Sequence, residues 1–269
     1  MRGIGRRRAE TAKLKSPADI EMMRPAGRLV HQVLTRMREM AKPGVTTADL
    51  NAEAERMIAQ AGAQALFRGV ETRQTKFPFP SALCTSVNEQ VVHGIPSARV
   101  LQAGDVLSVD CGVRLNGYCG DSATSIAIGS VEPDVRRLLE VTQEALEIAI
   151  REIRPKRWWS QVASQMQAHV EGAGFSVVRQ FVGHGIGREM WEEPKIPNYV
   201  DPGESRMDFM LLSGMVLAVE PMVNMGTADV EYGDSSGWPV VTRDGRYAAH
   251  FEHTIAVTDR GADVLTDER

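Results

Sequence analysis

With 269 residues, 43% of them hydrophobic and 25% charged, the chain can bury a substantial core and has the composition of an ordinary soluble enzyme. No apolar run reaches the 18 residues that a membrane-spanning helix needs, and a net charge of −4 provides no global attraction to nucleic acid. Three cysteines, Cys84, Cys111 and Cys119, without CxxC spacing argue against a disulfide framework and a structural zinc knot, which suits a reducing cytoplasm.

The first residues carry Arg2, Arg6, Arg7 and Arg8 and continue as Ala-Glu-Thr-Ala-Lys rather than as an apolar stretch. Residues 1–15 therefore read as a basic, flexible arm and not as a secretory signal. Ser16, Pro17 and Asp19 supply an N-cap, a first-position proline and a first-turn acid, predicting a helix over 17–41 that Lys42-Pro43-Gly44 stops. Thr46 or Thr47 caps a second helix that runs to Ala61-Gly62. Strands are expected around 83–87, 106–113 and 118–128, followed by helices over 132–154 and 160–173. Further strands are expected near 175–182, 215–219, 239–241 and 247–257.

This order contains a repeat. Nineteen residues separate Pro43 from Gly62, and nineteen separate Pro155 from Gly174. Arg38-Glu39 and Arg151-Glu152 fall at similar places ahead of each proline. Two helix–helix–strand units of this kind predict an α+β fold with pseudo-symmetry, its sheets packed together. No Gly/Ser-rich or Pro-rich linker divides residues 16–269, which read as a single catalytic domain.

Five residues have the chemistry of metal ligands: Asp110, Asp121, His184, Glu220 and Glu252. Four of them lie in apolar segments, and three of those segments contain no Lys or Arg. A buried, unpaired carboxylate costs several kcal/mol, so four of them require compensation. Two divalent cations balance four carboxylates and leave His184 as a neutral ligand. Leu115-Asn116-Gly117-Tyr118 is a two-residue hairpin signal. If Leu115 pairs with Tyr118, Gly112 faces Asp121, and Asp110 is diagonal to Asp121 on the same face. An oxygen-rich set with one imidazole suits Mn, Fe, Co or Zn, and such a pair of ions points to metal-assisted hydrolysis.

Five ordered motifs carry this further. They are Thr85-Ser-Val-Asn-Glu-Gln-Val-Val-His-Gly-Ile-Pro96, the Asp110/Asp121 pair, Phe181-Val-Gly-His-Gly-Ile-Gly-Arg188, Val219-Glu-Pro-Met-Val223 and Phe251-Glu-His-Thr-Ile255. Together they resemble the bacterial type I methionine aminopeptidases, over about residues 16–257. The resemblance implies the pita-bread fold, antiparallel sheets flanked by two helix pairs. It implies that Asp110 holds one metal, that His184 and Glu220 hold the other, and that Asp121 and Glu252 bridge both. Glu220 becomes a proton shuttle and His93 a contact to the scissile peptide. Phe79, Cys84 and Trp238 become the wall of a pocket for the methionine side chain. Outside that resemblance, Phe79 and Trp238 read as ordinary core aromatics.

One position departs from the family pattern. Seven residues beyond His184, where the family usually has a second active-site histidine, stands Trp191. An indole donates one hydrogen bond, accepts none and cannot carry a proton. The implied activity is removal of the initiator methionine from nascent chains whose second residue is small. A cytoplasmic monomer that touches the ribosome weakly through its basic arm, and binds no specific nucleic acid or membrane, completes the expectation. The competing readings are an Xaa-Pro aminopeptidase of the same fold and an impaired, binding-only homologue that lost catalysis at Trp191. His31 and His169 read as surface residues. Strand alternation turns His250 and Glu252 to one face and His253 to the other.

Overall fold

A computed structural model of the chain describes residues 12–200 and 208–268. Residues 1–11 of the expected arm, with all four of its arginines, lie outside them. The inner end of that arm is anchored: Lys15 donates its backbone N–H to Gly214 O at 2.7 Å and its Nζ to Glu192 Oε2 at 2.7 Å, in a buried ion pair.

Helix α1 spans Pro17–Met40 and α2 spans Thr47–Gln60. Each begins with a reciprocal capping box. Ser16 Oγ accepts the Asp19 N–H while the Asp19 carboxylate accepts the Ser16 N–H, and Thr46 and Asp49 repeat the arrangement. Thr46, and not Thr47, is therefore the cap. Helices α3, Pro133–Glu152, and α4, Trp159–Gly172, form the second pair. Gly62 and Gly174 both take positive φ, 65° and 87°, just past the ends of α2 and α4, which is why both halves of the repeat end in glycine.

Each helix pair backs its own sheet. The pair α1/α2 packs on a sheet built around the hairpin of Val106–Leu115 and Tyr118–Ala127, with Leu83–Val87 and Gln64–Ala65 on the hairpin's other edge. The pair α3/α4 packs on an antiparallel five-stranded sheet in the order Gly261–Val264, His253–Thr258, Val216–Val219, Gly183–Gly185 and Glu192–Ile196. Two separate apolar clusters, one under each helix pair, give the expected pseudo-symmetric α+β architecture its physical basis.

The hairpin register is as the turn requires: Leu115 pairs with Tyr118, Gly112 with Asp121 and Asp110 with Ala123. Asn116 and Gly117 both have positive φ, as such a turn demands. Two expected strands are interrupted. The one expected over 247–257 is split into Ala248–His250 and His253–Thr258. Between them Phe251 N–H bonds Pro221 O and Glu252 N–H bonds Ala123 O, so the chain leaves one sheet for another. Pro221 makes the same crossing between Val216–Val219 and Met222–Asn224. The strand expected over 175–182 is reduced to Ser176–Val177, and pairing resumes only at Gly183–Gly185.

Candidate metal centre

The two strand crossings position the site. Glu220 closes one crossing and Glu252 the other. Continuing the pairing of His253 with Val219 by one residue sets the two glutamates opposite each other. His184 pairs with Ala218 on the neighbouring strand, two residues from Glu220 and hence on the same face. That strand can come this close because residue 183 is glycine: a Cβ there would lie 2.3 Å from Ala218 O. From the other sheet, Asp110 and Asp121 enter on one face of the hairpin. Gly112 leaves the space beside Asp121, since a Cβ on it would lie 3.2 Å from Asp121 Oδ1 and 2.8 Å from the Met190 terminal methyl.

All five candidate ligands line one cleft of about 650 Å³. Ligand atoms of Asp121, His184 and Glu252 lie within 4.8 Å of one another. His184 Nε2 is 3.7 Å from Asp121 Oδ2 and 3.8 Å from Glu220 Oε1. Its Nδ1 donates to Gly185 O at 2.9 Å, which leaves the Nε2 lone pair facing the carboxylates. Burial lowers the pKa of His184, which keeps the ring neutral and able to ligate.

The electrostatics of the bare residues are unfavourable. Burial, then repulsion from Asp121 and Glu220, pushes Asp110 well above the usual carboxylate range. Glu252 is raised in the same way by burial and by Asp121, Glu220 and Asp110, and Glu220 by burial and Asp121. Burial also raises Asp121, against the opposing hydrogen bonds from Asp110 and the Ser122 backbone. Among the described residues lining the cleft, the only Lys or Arg is Lys195, which is exposed. Asp110 Oδ1, Asp121 Oδ1 and Glu252 Oε1 are buried without a hydrogen-bond partner among the described residues. Orphaned carboxylate oxygens converging on one imidazole lone pair fit divalent cations, which satisfy the oxygens and remove the repulsion together.

The rest of the cleft is aromatic. Phe79 and Trp238 meet edge to face with centroids 5.0 Å apart, and with buried Cys84 they wall one end. Trp238 is fixed by its indole N–H, which donates to Phe77 O at 2.8 Å. His93 lines the same cleft, its ring 6.3 Å from Trp238 and 5.5 Å from Phe181. It has a φ of 60°, an uncommon conformation for a residue with a side chain, and burial pushes its pKa down to about 4. Trp191 stands at the mouth, 56% exposed, with its ring 6.5 Å from that of His184. Its indole N–H donates to no group among the described residues.

Sequence reasoning left several lining residues without a role. Phe67, Met190 and Phe181 line the cleft, and so does His250, whose pKa burial pushes down to about 3. The alternation that turned His250 and Glu252 to one face was the available signal for His250. His253 points the other way, with Nδ1 2.9 Å from Thr266 Oγ1.

An acidic cleft fitted for divalent cations beside an aromatic pocket, held between two pseudo-symmetric halves, is the site of a metal-dependent hydrolase. The sequence matches the model of metallopeptidase family M24 over residues 21–259. It is 45% identical over 254 residues to the methionine aminopeptidase of Clostridium acetobutylicum, covering 94% of this chain and 98% of that one. The crystal structure of methionine aminopeptidase from Thermotoga maritima superposes with a TM-score of 0.89 at 40% identity, covering 96% of this chain and 100% of that one. The prolidase from Pyrococcus furiosus superposes at 0.75 with 20% identity, covering 97% of this chain and 67% of its own, a likeness of fold alone. The chain belongs to metallopeptidase family M24 and, within it, to the methionine aminopeptidases; its fold is the pita-bread fold.

Proposed function

We propose that the protein removes the N-terminal methionine from nascent polypeptides when the second residue is small. The observation that carries this reading is that the carboxylate–imidazole cluster and the aromatic wall of Phe79 and Trp238, with Cys84, line one cleft. A polarisable thioether packs well against aromatic edges.

Asp110 would hold one of two divalent cations, His184 and Glu220 the other, and Asp121 and Glu252 would serve both. The ions can be Co, Mn, Fe or Zn. When bound, the cations would supply Lewis-acid chemistry: a lowered pKa for a coordinated water and polarisation of a carbonyl. Glu220 carries the proton of the attacking water toward the leaving amine. His93, kept neutral by burial in the same cleft, donates to the scissile peptide as charge develops on it. Trp191 at the mouth limits the room for the second side chain and offers its N–H to the carbonyl of the same residue.

The setting is the cytoplasm, with the protein a monomer. No helix of the described residues is long and apolar enough to cross a membrane. Any contact with the ribosome runs through Arg2, Arg6, Arg7 and Arg8, by salt-dependent phosphate neutralisation.

A peptide panel tests the substrate assignment. Met-Ala-Ser and Met-Gly-Ser are expected to release methionine, whereas Met-Leu-Ser and Met-Lys-Ser are not. Faster cleavage of Ala-Pro-Ser than of Met-Ala-Ser would move the protein to the Xaa-Pro class.

A further inference from the structure

His250 is two residues from Glu252 in sequence, yet the group it faces is Glu220. Its strand, Ala248–His250, pairs with Met222–Asn224 so that His250 is opposite Met222, immediately past the crossing at Pro221. The backbone of His250 is clamped. Its N–H donates to Ser125 Oγ at 2.8 Å, and Ser125 Oγ donates back to His250 O at 2.9 Å. Ser108 Oγ lies 2.7 Å from Ser125 Oγ and completes a buried hydroxyl pair beneath the strand.

The side chain so fixed is 2% exposed, and Nε2 has no hydrogen-bond partner among the described residues. Nε2 lies 3.7 Å from Glu220 Oε2, while the other oxygen of the same carboxylate, Oε1, lies 3.8 Å from His184 Nε2. Glu220 is therefore bracketed by two imidazoles, one per oxygen. Its backbone carbonyl is held separately by Asn198 Nδ2 at 3.0 Å. His184 presents a lone pair on its side of the bracket, because its proton is on Nδ1. A neutral ring carries one N–H, and on the His250 side a carboxylate oxygen is an acceptor.

We propose that His250 is the positioning residue of Glu220: its Nε2–H holds Oε2 and so presents Oε1 toward His184 and the shared cleft. A closure of about 0.8 Å brings the pair from its present separation to hydrogen-bond distance, within the tightening that such contacts undergo when a site is loaded. The arrangement fixes one oxygen for ligation and leaves the proton-carrying carboxylate a defined direction. Groups that orient a ligating carboxylate in this way govern both metal affinity and turnover. The proposal rests on the reading of Glu220 as a ligand and proton carrier, and it adds the group that aims it.

Three proteins test it: the parent, His250→Leu, which keeps bulk without a donor, and His250→Gln, which restores an N–H. In calorimetric Mn(II) titrations and Met-Ala-Ser kinetics, His250→Leu is expected to lose about 10–100-fold in affinity for one cation and in kcat, with KM unchanged, and His250→Gln to recover to within about threefold. Parent-like affinity and kcat in His250→Leu would show that the ring only fills space. Complete loss of one cation in both variants would make His250 itself a ligand. Either result overturns the proposal. A cation-free measurement separates it from the peptidase reading: ¹⁵N spectra of the histidine rings in parent and Glu220→Gln. An Nε2–H tautomer of His250 whose signal moves in Glu220→Gln supports the contact. An Nδ1–H tautomer, or a signal that does not move, overturns it even if the parent cleaves methionine.

Discussion

Asp121→Ala and Glu252→Ala are each expected to lose the cooperative binding of both cations, and His184→Ala to weaken mainly one. Lewis-acid assistance is worth several kcal/mol, so kcat/KM on Met-Ala-Ser should fall by about 10³-fold or more in the two carboxylate variants. Neither change should unfold the protein. The Asp121 backbone is held on both sides by Thr254, whose Oγ1 accepts the Asp121 N–H at 3.1 Å and donates to Asp121 O at 2.8 Å. Each variant also removes one buried like charge from a cluster whose members raise one another's pKa. The cation-free melting temperature should therefore hold or rise while the stabilisation by added Mn(II) disappears. Calorimetry showing two undisturbed sites in Asp121→Ala would remove the bridging assignment.

Trp191→Phe should lower kcat/KM and Trp191→His should raise it. The indole N–H donates to no group among the described residues and stands at the cleft mouth, its ring 6.5 Å from that of His184. A well-aimed transition-state donor is worth on the order of 10²–10³ in kcat, and an indole in the place of an imidazole supplies part of that, so roughly tenfold should separate Phe from the parent. If Trp191 only narrows the mouth, Phe will be nearly neutral and smaller side chains will admit larger second residues. A parent with no hydrolysis under Mn(II), Co(II) or anaerobic Fe(II) would identify a binding-only homologue.

Local chemistry made much of the architecture legible. Capping boxes at Ser16 and Thr46 and the prolines and glycines of the repeat mark the helix pairs, because those residues answer backbone needs at helix ends wherever the helix packs. The Asn116-Gly117 turn fixed the register that puts Asp110 and Asp121 on one face. The crossings were hidden. From 247 to 257 no glycine or proline marks a break and the stretch is largely buried on both sides of Phe251 and Glu252, although the chain changes sheets there. Glu192–Ile196 was missed because a proline and charged residues conceal a strand at the sheet edge, where a missing N–H and exposed charge are tolerated.

The candidate site was legible to a different degree. Carboxylates in apolar segments announce a compensating charge, and the structure brings the five named residues into one cleft with His93, Phe79, Cys84, Trp238 and Trp191. Strand alternation could turn His250 toward that cleft but could not show that it faces Glu220, since the contact depends on how two sheets meet at Pro221. The Lys15–Glu192 pair, which joins the N-terminal segment to the residue after Trp191, spans 177 positions and leaves no local trace.

The most direct test is methionine release from Met-Ala-Ser by chelator-stripped protein before and after addition of Mn(II) under anaerobic conditions. The account predicts no release without cation, full release after it, and silence in Glu252→Ala at the same Mn(II) concentration. Release that is equal with and without cation, or absent in the loaded parent, would contradict it.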